Sequence, residues 1–370
     1  MTKRVSIILN NSWYAYNFRL NLARSLKKNG YDVCFIAPYD KKYSELLNKE
    51  FKFVHVDIDA KGINPIIDFK TMVSLYKLYK QINPDIVLNF TIKPNIYSSI
   101  VAGIMGIKSI NNITGLGTIF IKETLITKIA KVLYKISLGF NNKVFFQNSD
   151  DKNLFISNKL VKSSKCALLP GSGVDLNKFS PVKNNNDETF KFLLIARLLK
   201  DKGILEFIDA IKIIKDKYKN VEFLLLGAVG VSNKTAITNE ELQVWVNDGL
   251  VSYLGTTDNV QEVIANVNCV VLPSYREGTP RSLLEACAME KPIIATNVVG
   301  CKEVVEDGIN GYLCEAKNSA DLAEKMEQML NLNSYELEQM GKNGRKKIIK
   351  EFDENIVINK YLASIRDILK

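Results

Sequence analysis

The chain predicts an α/β fold with two doubly wound parallel sheets. Three observations lead there. Short apolar segments alternate with amphipathic helical ones along nearly the whole sequence. The alternation pauses at a polar stretch, 181–189, and then restarts. The length, 370 residues, suffices for two domains that each bury their own core.

In the first half, strands are expected near 4–9, 32–37, 52–57, 85–90, 108–113 and 143–148. Runs such as Val5-Ser6-Ile7-Ile8-Leu9 suit strands buried on both faces of a parallel sheet. Helical patterns fill the gaps, for example 17–29 and 68–82. Pro-Val-Lys-Asn-Asn-Asn-Asp-Glu-Thr at 181–189 reads as a linker. Strands then return near 191–196, 221–227, 250–254, 268–272, 292–296 and 312–313. A helical pattern at 352–370 remains after the second sheet is complete. The expected domains are 1–180 and 190–351, with that last helix left over. Ligand loops are expected at the carboxyl ends of both sheets, facing a cleft between the domains.

Composition excludes several functions. No apolar run approaches the ~20 residues of a membrane-spanning helix. The start of the chain lacks a signal-peptide pattern, so a cytoplasmic protein is expected. The six cysteines form no C-x-x-C pair and read as buried thiols of a reducing compartment. His55 is the only histidine, which disfavours a zinc site or a Ser-His-Asp triad; it reads as structural, and no metal site is expected. The net charge of +10 is uneven. Residues 1–180 carry 26 Lys and Arg against 12 Asp and Glu, whereas 181–370 carry 24 against 28. A polyanionic partner, nucleic acid or an anionic membrane surface, is therefore expected only at the first half.

The densest chemical signal is Glu277-Gly278-Thr279-Pro280-Arg281-Ser282-Leu283-Leu284-Glu285. It follows the apolar run 269–273 and enters a helix, with Glu285 expected about two turns in. A helix start offers free N–H groups to an anion. Two carboxylates at different levels can accept bonds from hydroxyls along one ligand. The plain alternative is a helix with two exposed glutamates. A second signal is Arg197 and Lys202, where the first strand of the second half meets its helix. Two cations there can hold a diphosphate and neutralise it as it leaves; the plain alternative is two solvated side chains. Gly227 ends the next strand, where a side chain would crowd a ligand, and Thr256 follows the strand after it.

Taken in order, these segments, with 297–303 and 307–311, resemble glycosyltransferase family 4, whose fold is GT-B. The likeness covers 190–320 and is looser before 180. It implies two Rossmann-like domains, the second holding a nucleotide sugar. Arg197 and Lys202 would bind the donor diphosphate, Glu285 the ribose and Glu277 the hexose. Gly278, Thr279, Pro280, Leu283, Gly227 and Thr256 would line the same site. The resemblance implies transfer with retention and no essential metal. The departing diphosphate would accept the acceptor's proton.

It also implies that the first half binds the acceptor. Asn11, Trp13 and Tyr14 fall in an expected loop after the first strand, where family members often carry a glycine pair. Their aromatics suit a sugar or lipid, or the packing of a helix start. Lys93 follows the fourth strand and would face an acceptor diphosphate. Thr114, Gly115 and Gly117 follow the fifth, with Thr114 where many members have a histidine. Residues 121–143 read as a basic amphipathic helix, with Lys128, Lys131 and Lys135 for an anionic leaflet or, alternatively, as a plain cover for the sheet. Lys93-Pro94-Asn95 and Thr114-Gly115-Leu116-Gly117 look like the branch that elongates undecaprenyl-diphosphate-linked sugars. Tyr134-Lys135-Ile136-Ser137 and Ser274-Tyr275-Arg276-Glu277-Gly278 are similar to members that transfer N-acetylgalactosamine from UDP-GalNAc, in α-1,3 linkage, to N,N′-diacetylbacillosamine on that lipid for protein N-glycosylation. Capsule and O-antigen enzymes share these features. The expected place is peripheral, on the cytoplasmic face of the inner membrane, with other glycosyltransferases of the pathway as partners and no nucleic acid. A sugar-nucleotide epimerase of the same fold is disfavoured by the single histidine.

Overall fold

A computed structural model describes residues 2–59, 62, 64–114, 125–182, 189–231 and 233–370. Contacts divide the chain into two units, Met1–Leu169 with Val357–Lys370, and Pro170–Ile356.

The first unit runs β1 (Arg4–Ile8), α1 (Ser12–Lys28), β2 (Asp32–Ala37), α2 (Lys41–Asn48), β3 (Lys52–His55), α3 (Pro65–Ile82) and β4 (Ile86–Phe90). A π-helical turn, Pro94–Ser98, leads into α4 (Ser99–Ile104). Then come β5 (Lys108–Ile113), α5 (Leu125–Phe140), β6 (Lys143–Phe146), α6 (Ser149–Ser157) and β7 (Cys166–Leu168). The strands form one parallel sheet in the order β3-β2-β1-β4-β5-β6-β7. Right-handed crossovers put α1 and α2 on one face and α3, α4 and α5 on the other, because the two groups lead to strands in opposite directions from β1. The six expected strands are present. The edge strand β7 was not expected, since its apolar run, Cys166-Ala167-Leu168-Leu169, is short and bounded by Lys165 and Pro170.

The second unit runs β8 (Phe190–Ile195), α7 (Ile204–Lys217), β9 (Val221–Leu226), α8 (Asn239–Asn247), β10 (Ser252–Tyr253) and α9 (Val260–Ala265). It continues with β11 (Cys269–Leu272), α10 (Arg281–Ala288), β12 (Ile293–Thr296), β13 (Gly311–Cys314), α11 (Ser319–Leu330) and α12 (Ser334–Glu351). Its sheet is parallel, in the order β10-β9-β8-β11-β12-β13. Strand order reverses at β8, so the loops after β8 and β11 are neighbours at the switch point, where doubly wound sheets bind ligands.

The helix α13 (Glu354–Leu369) packs Val357, Tyr361, Leu362 and Ile365 into the core of the first unit beside α1. Tyr361 accepts a 2.9 Å hydrogen bond from Asn112. The chain enters the second unit at Pro170, earlier than the polar stretch at 181–189 suggests. Val174 and Phe179 are buried in the second core, and Val174 bonds to Phe352 and Glu354 through its backbone. The stretch therefore precedes β8 inside the second unit; its residues 183–188 lie outside the described residues.

All six cysteines are free, five of them buried. Burial pushes the Cys34 thiol up to about 12, so it stays protonated and inert. His55 accepts the Tyr39 N–H at 3.0 Å and contacts Asp57 at 3.1 Å, a structural role.

Candidate donor and acceptor sites

The donor candidate is built where β8 and β11 end. After β8 the chain turns through Arg197 and a 3-10 turn, Lys200–Lys202, before α7. After β11 it crosses Pro273 to Pro280 and enters α10. Asp201 ties the two segments together. Its carbonyl accepts the Tyr275 N–H at 3.0 Å and the Ser274 hydroxyl at 3.2 Å, and its carboxylate accepts the Thr235 hydroxyl at 3.1 Å. Tyr275 donates its hydroxyl to Glu206, on the first turn of α7, at 2.6 Å. Burial first, and then this carboxylate, raise the Tyr275 pKa, so the phenol stays a donor.

Within this frame the charges are paired. Lys202 donates to Glu277 in a half-buried ion pair. Glu277 is held from behind: its N–H reaches the Val299 carbonyl at 3.0 Å, and Gly300 backs onto it with φ +92°. A Cβ on Gly300 would sit 2.5 Å from the Glu277 carbonyl oxygen, so only glycine fits. Arg281 donates to Glu285 at 2.8 Å, one helical turn apart. Burial pushes the Glu285 pKa up, opposed by Arg281 and Lys178. Arg197 is exposed at the mouth of the same turn.

Several expectations are corrected here. The helix α10 begins at Arg281, so Glu285 lies just past its first turn rather than two turns in. The fold itself requires Gly227: a Cβ there would meet the Ala196 carbonyl at 1.8 Å. Leu283 is fully buried in the core, which leaves only its backbone near a ligand. Thr256 is exposed after β10, and Gly278, Thr279 and Pro280 form the entry to α10 as expected. Arg281, Glu206 and Tyr275 were missed. The four-residue spacing of Arg281 and Glu285 was the available signal for the first; nothing local flags the other two.

The acceptor candidates lie at the corresponding switch point of the first unit. The segment after β1 is not a loop: α1 starts at Ser12, because Asn11 caps it by accepting the Tyr14 N–H at 2.7 Å. Trp13 and Tyr14 are exposed on the first turn and pack edge-on against each other, with Phe18 beside them. Lys93, after β4, is bound by Asp68 at 2.5 Å, and Tyr97 donates to the other oxygen of Asp68 at 2.6 Å. Thr114 directly follows β5, half-buried; Gly115 and Gly117 lie outside the described residues. The helix α5 turns Tyr134, Ser137 and Leu138 inward. Ile129, Val132, Ile136 and Phe140 are exposed, at spacings that form one stripe, with Lys128 and Lys135 exposed beside it. Lys131 is half-buried, and residues 121–124 lie outside the described residues. Among the described residues, no helix is long and apolar enough to cross a membrane and no group of three potential metal ligands occurs.

Known proteins match both halves of the chain. The family described as "Glycosyl transferases group 1" matches residues 176–347, and "Glycosyl transferase 4-like" matches 5–148. The chain is 30% identical over 372 aligned residues to the N,N′-diacetylbacillosaminyl-diphospho-undecaprenol alpha-1,3-N-acetylgalactosaminyltransferase of Campylobacter jejuni, covering 96% of each chain. It is 26% identical to the UDP-Gal:alpha-D-GlcNAc-diphosphoundecaprenol alpha-1,3-galactosyltransferase of Escherichia coli, covering 93% of this chain and 90% of that one. In structure it is similar to a glycosyltransferase from Rickettsia africae, with TM-score 0.81 and 20% identity over 100% and 99% of the two chains. On sequence along its full length, and with two doubly wound domains of the GT-B kind, the chain belongs to glycosyltransferase family 4.

Proposed function

We propose that the enzyme transfers N-acetylgalactosamine from UDP-GalNAc, in α-1,3 linkage and with retention, to N,N′-diacetylbacillosamine on undecaprenyl diphosphate. The observation that carries this is the 30% identity to the Campylobacter jejuni transferase across 96% of both chains. The Escherichia coli relative supports the same acceptor class, because its acceptor too is a sugar on diphosphoundecaprenol. The same relative favours a second reading, with another UDP-hexose and another first sugar on the same lipid.

The donor enters the second unit at the β8–β11 switch point. Its diphosphate competes with Glu277 for Lys202 and draws in the exposed Arg197. Freed from Lys202, the Glu277 carboxylate accepts hydrogen bonds from the hexose hydroxyls, and Glu285 accepts them from the ribose. An acceptor hydroxyl then attacks the anomeric carbon from the leaving-group side. The new C–O bond forms as the bond to the phosphate oxygen breaks, and the hydroxyl proton passes to the departing UDP. Arg197, Lys202 and the first turn of α10 stabilise the developing charge, and no metal is required. The enzyme works at the cytoplasmic face of the inner membrane, where α5 lies on the anionic surface with its apolar stripe inward and its lysines at the headgroups.

Incubating the purified enzyme with single UDP-sugars and a diphosphate-linked diacetylbacillosamine tests this. Mass spectrometry should show one added N-acetylhexosamine with UDP-GalNAc. Transfer only from another UDP-hexose, or only to another lipid-linked sugar, overturns the specific assignment.

A further inference from the structure

Nearly half of the exposed large apolar side chains among the described residues lie on three helices of the first unit, α3, α4 and α5. The stripe on α5 accounts for four of them. Helix α3, which carried no functional expectation, presents a second stripe: Ile66, Phe69, Val73 and Tyr76, at steps of three and four residues. Ile66 and Phe69 are 66% and 65% exposed, and Ile104, at the end of α4 between the two stripes, is 67% exposed. Helix α4 packs against both α3 and α5, and right-handed crossovers put all three on the same face of the sheet. One platform therefore carries both stripes.

The exposed charge on α3 and α5 themselves is basic, although Asp57 is exposed beside Thr71 of α3. Lys70, Lys77 and Lys80 are exposed along α3. Its single acid, Asp68, is buried under Lys93 and Tyr97. Helix α5 contains three lysines and no carboxylate. A protein partner would need a matching acidic, apolar groove. A bilayer of anionic lipid supplies both demands at once, acyl chains for the stripes and phosphates for the lysines. An exposed apolar patch of this extent signals a binding surface.

We infer that α3 is a second membrane-contact helix, so that the first unit sits on an anionic bilayer through the α3 and α5 stripes together, with Phe69 reaching the acyl boundary. This rests on the membrane reading of α5 given above. Because α3 starts at the carboxyl edge of the sheet, its seating brings the acceptor candidates Lys93 and Trp13 close to the headgroups that carry a lipid-linked sugar.

The test uses the full chain and vesicles of phosphatidylglycerol and phosphatidylcholine. Flotation of the wild type establishes binding. The Phe69→Trp variant is then read by quenching with lipids brominated on the acyl chains, above the background of the native Trp13 and Trp245. Stronger quenching than in the wild type, together with at least about a tenfold weaker vesicle affinity for Phe69→Glu/Val73→Glu, supports the inference. Wild-type binding with no added quenching, and unchanged affinity of the double variant, overturns α3 while leaving α5 standing. Failure of the wild type to bind either vesicle overturns both readings. A dimer in solution that the double variant dissolves would assign this face to a second copy instead, and would also overturn it.

Discussion

The two units use charge in opposite ways. In the second, the ionic groups of the donor candidate neutralise one another before any ligand arrives: Lys202 holds Glu277 and Arg281 holds Glu285. In the first, Lys70, Lys77 and Lys80 of α3 and Lys128 and Lys135 of α5 are exposed beside apolar stripes, whereas Lys93 is paired internally with Asp68. A site for a small polyanion profits from preorganised, partly dehydrated groups, which act strongly over short distances. A surface for a bilayer profits from exposed charge, which acts weakly and additively.

The largest expected effect breaks the donor side. Lys202→Ala and Arg197→Ala should each lower kcat by roughly 10²–10³, since each removes a preorganised charge from the leaving group. Circular dichroism should show both folded. The Lys202 variant also leaves Glu277 half-buried without its partner, so it should melt at a lower temperature than the Arg197 variant. Equal melting of the two would contradict the pairing.

A smaller effect belongs to the membrane side. Lys128→Glu/Lys135→Glu should weaken binding to anionic vesicles by roughly tenfold or more, at about 1 kcal/mol for each lysine removed. Transfer to a short-chain soluble acceptor should persist. Salt should weaken wild-type vesicle binding in the same direction, as attraction decays over about 10 Å at 0.1 M. An equal loss of activity on the soluble acceptor would erase the distinction between the units.

The smallest effect is a pH slope. Burial raises the Glu285 pKa above its ordinary 4.5, so the folded chain holds that proton more tightly than the unfolded one. Stability from this group is therefore present at low pH and is lost as pH rises from about 4.5 through the folded value. Glu285→Gln should show a flatter dependence of the urea midpoint on pH across that window. The variant should also bind UDP less tightly at neutral pH. Parallel pH curves for the two proteins would contradict the burial of a titrating carboxyl.

Sequence revealed the two regions unequally, for physical reasons. Parallel strands buried on both faces leave continuous apolar runs, so β1 and β11 were visible; β7, three residues at a sheet edge, was not. Arg197, Lys202, Glu277 and Glu285 were visible because strand–turn–helix junctions put them at fixed short spacings. Their mutual pairing was not, since Lys202 and Glu277 are 75 residues apart. The start of α1 was misjudged because Asn11, which reads as a loop residue, is a cap. The α3 stripe was hidden for another reason: its apolar residues run almost all round the helix, and only packing shows which ones the sheet covers.

The central claim is that the nucleotide sugar is held by the loops after β8 and β11, in the second unit alone. Hydrogen exchange of the full chain with and without UDP tests it most directly. Slowed exchange should appear at 197–203 and 274–285 and be absent from α3 and α5. Protection confined to the first unit, or none at saturating UDP, would contradict the account.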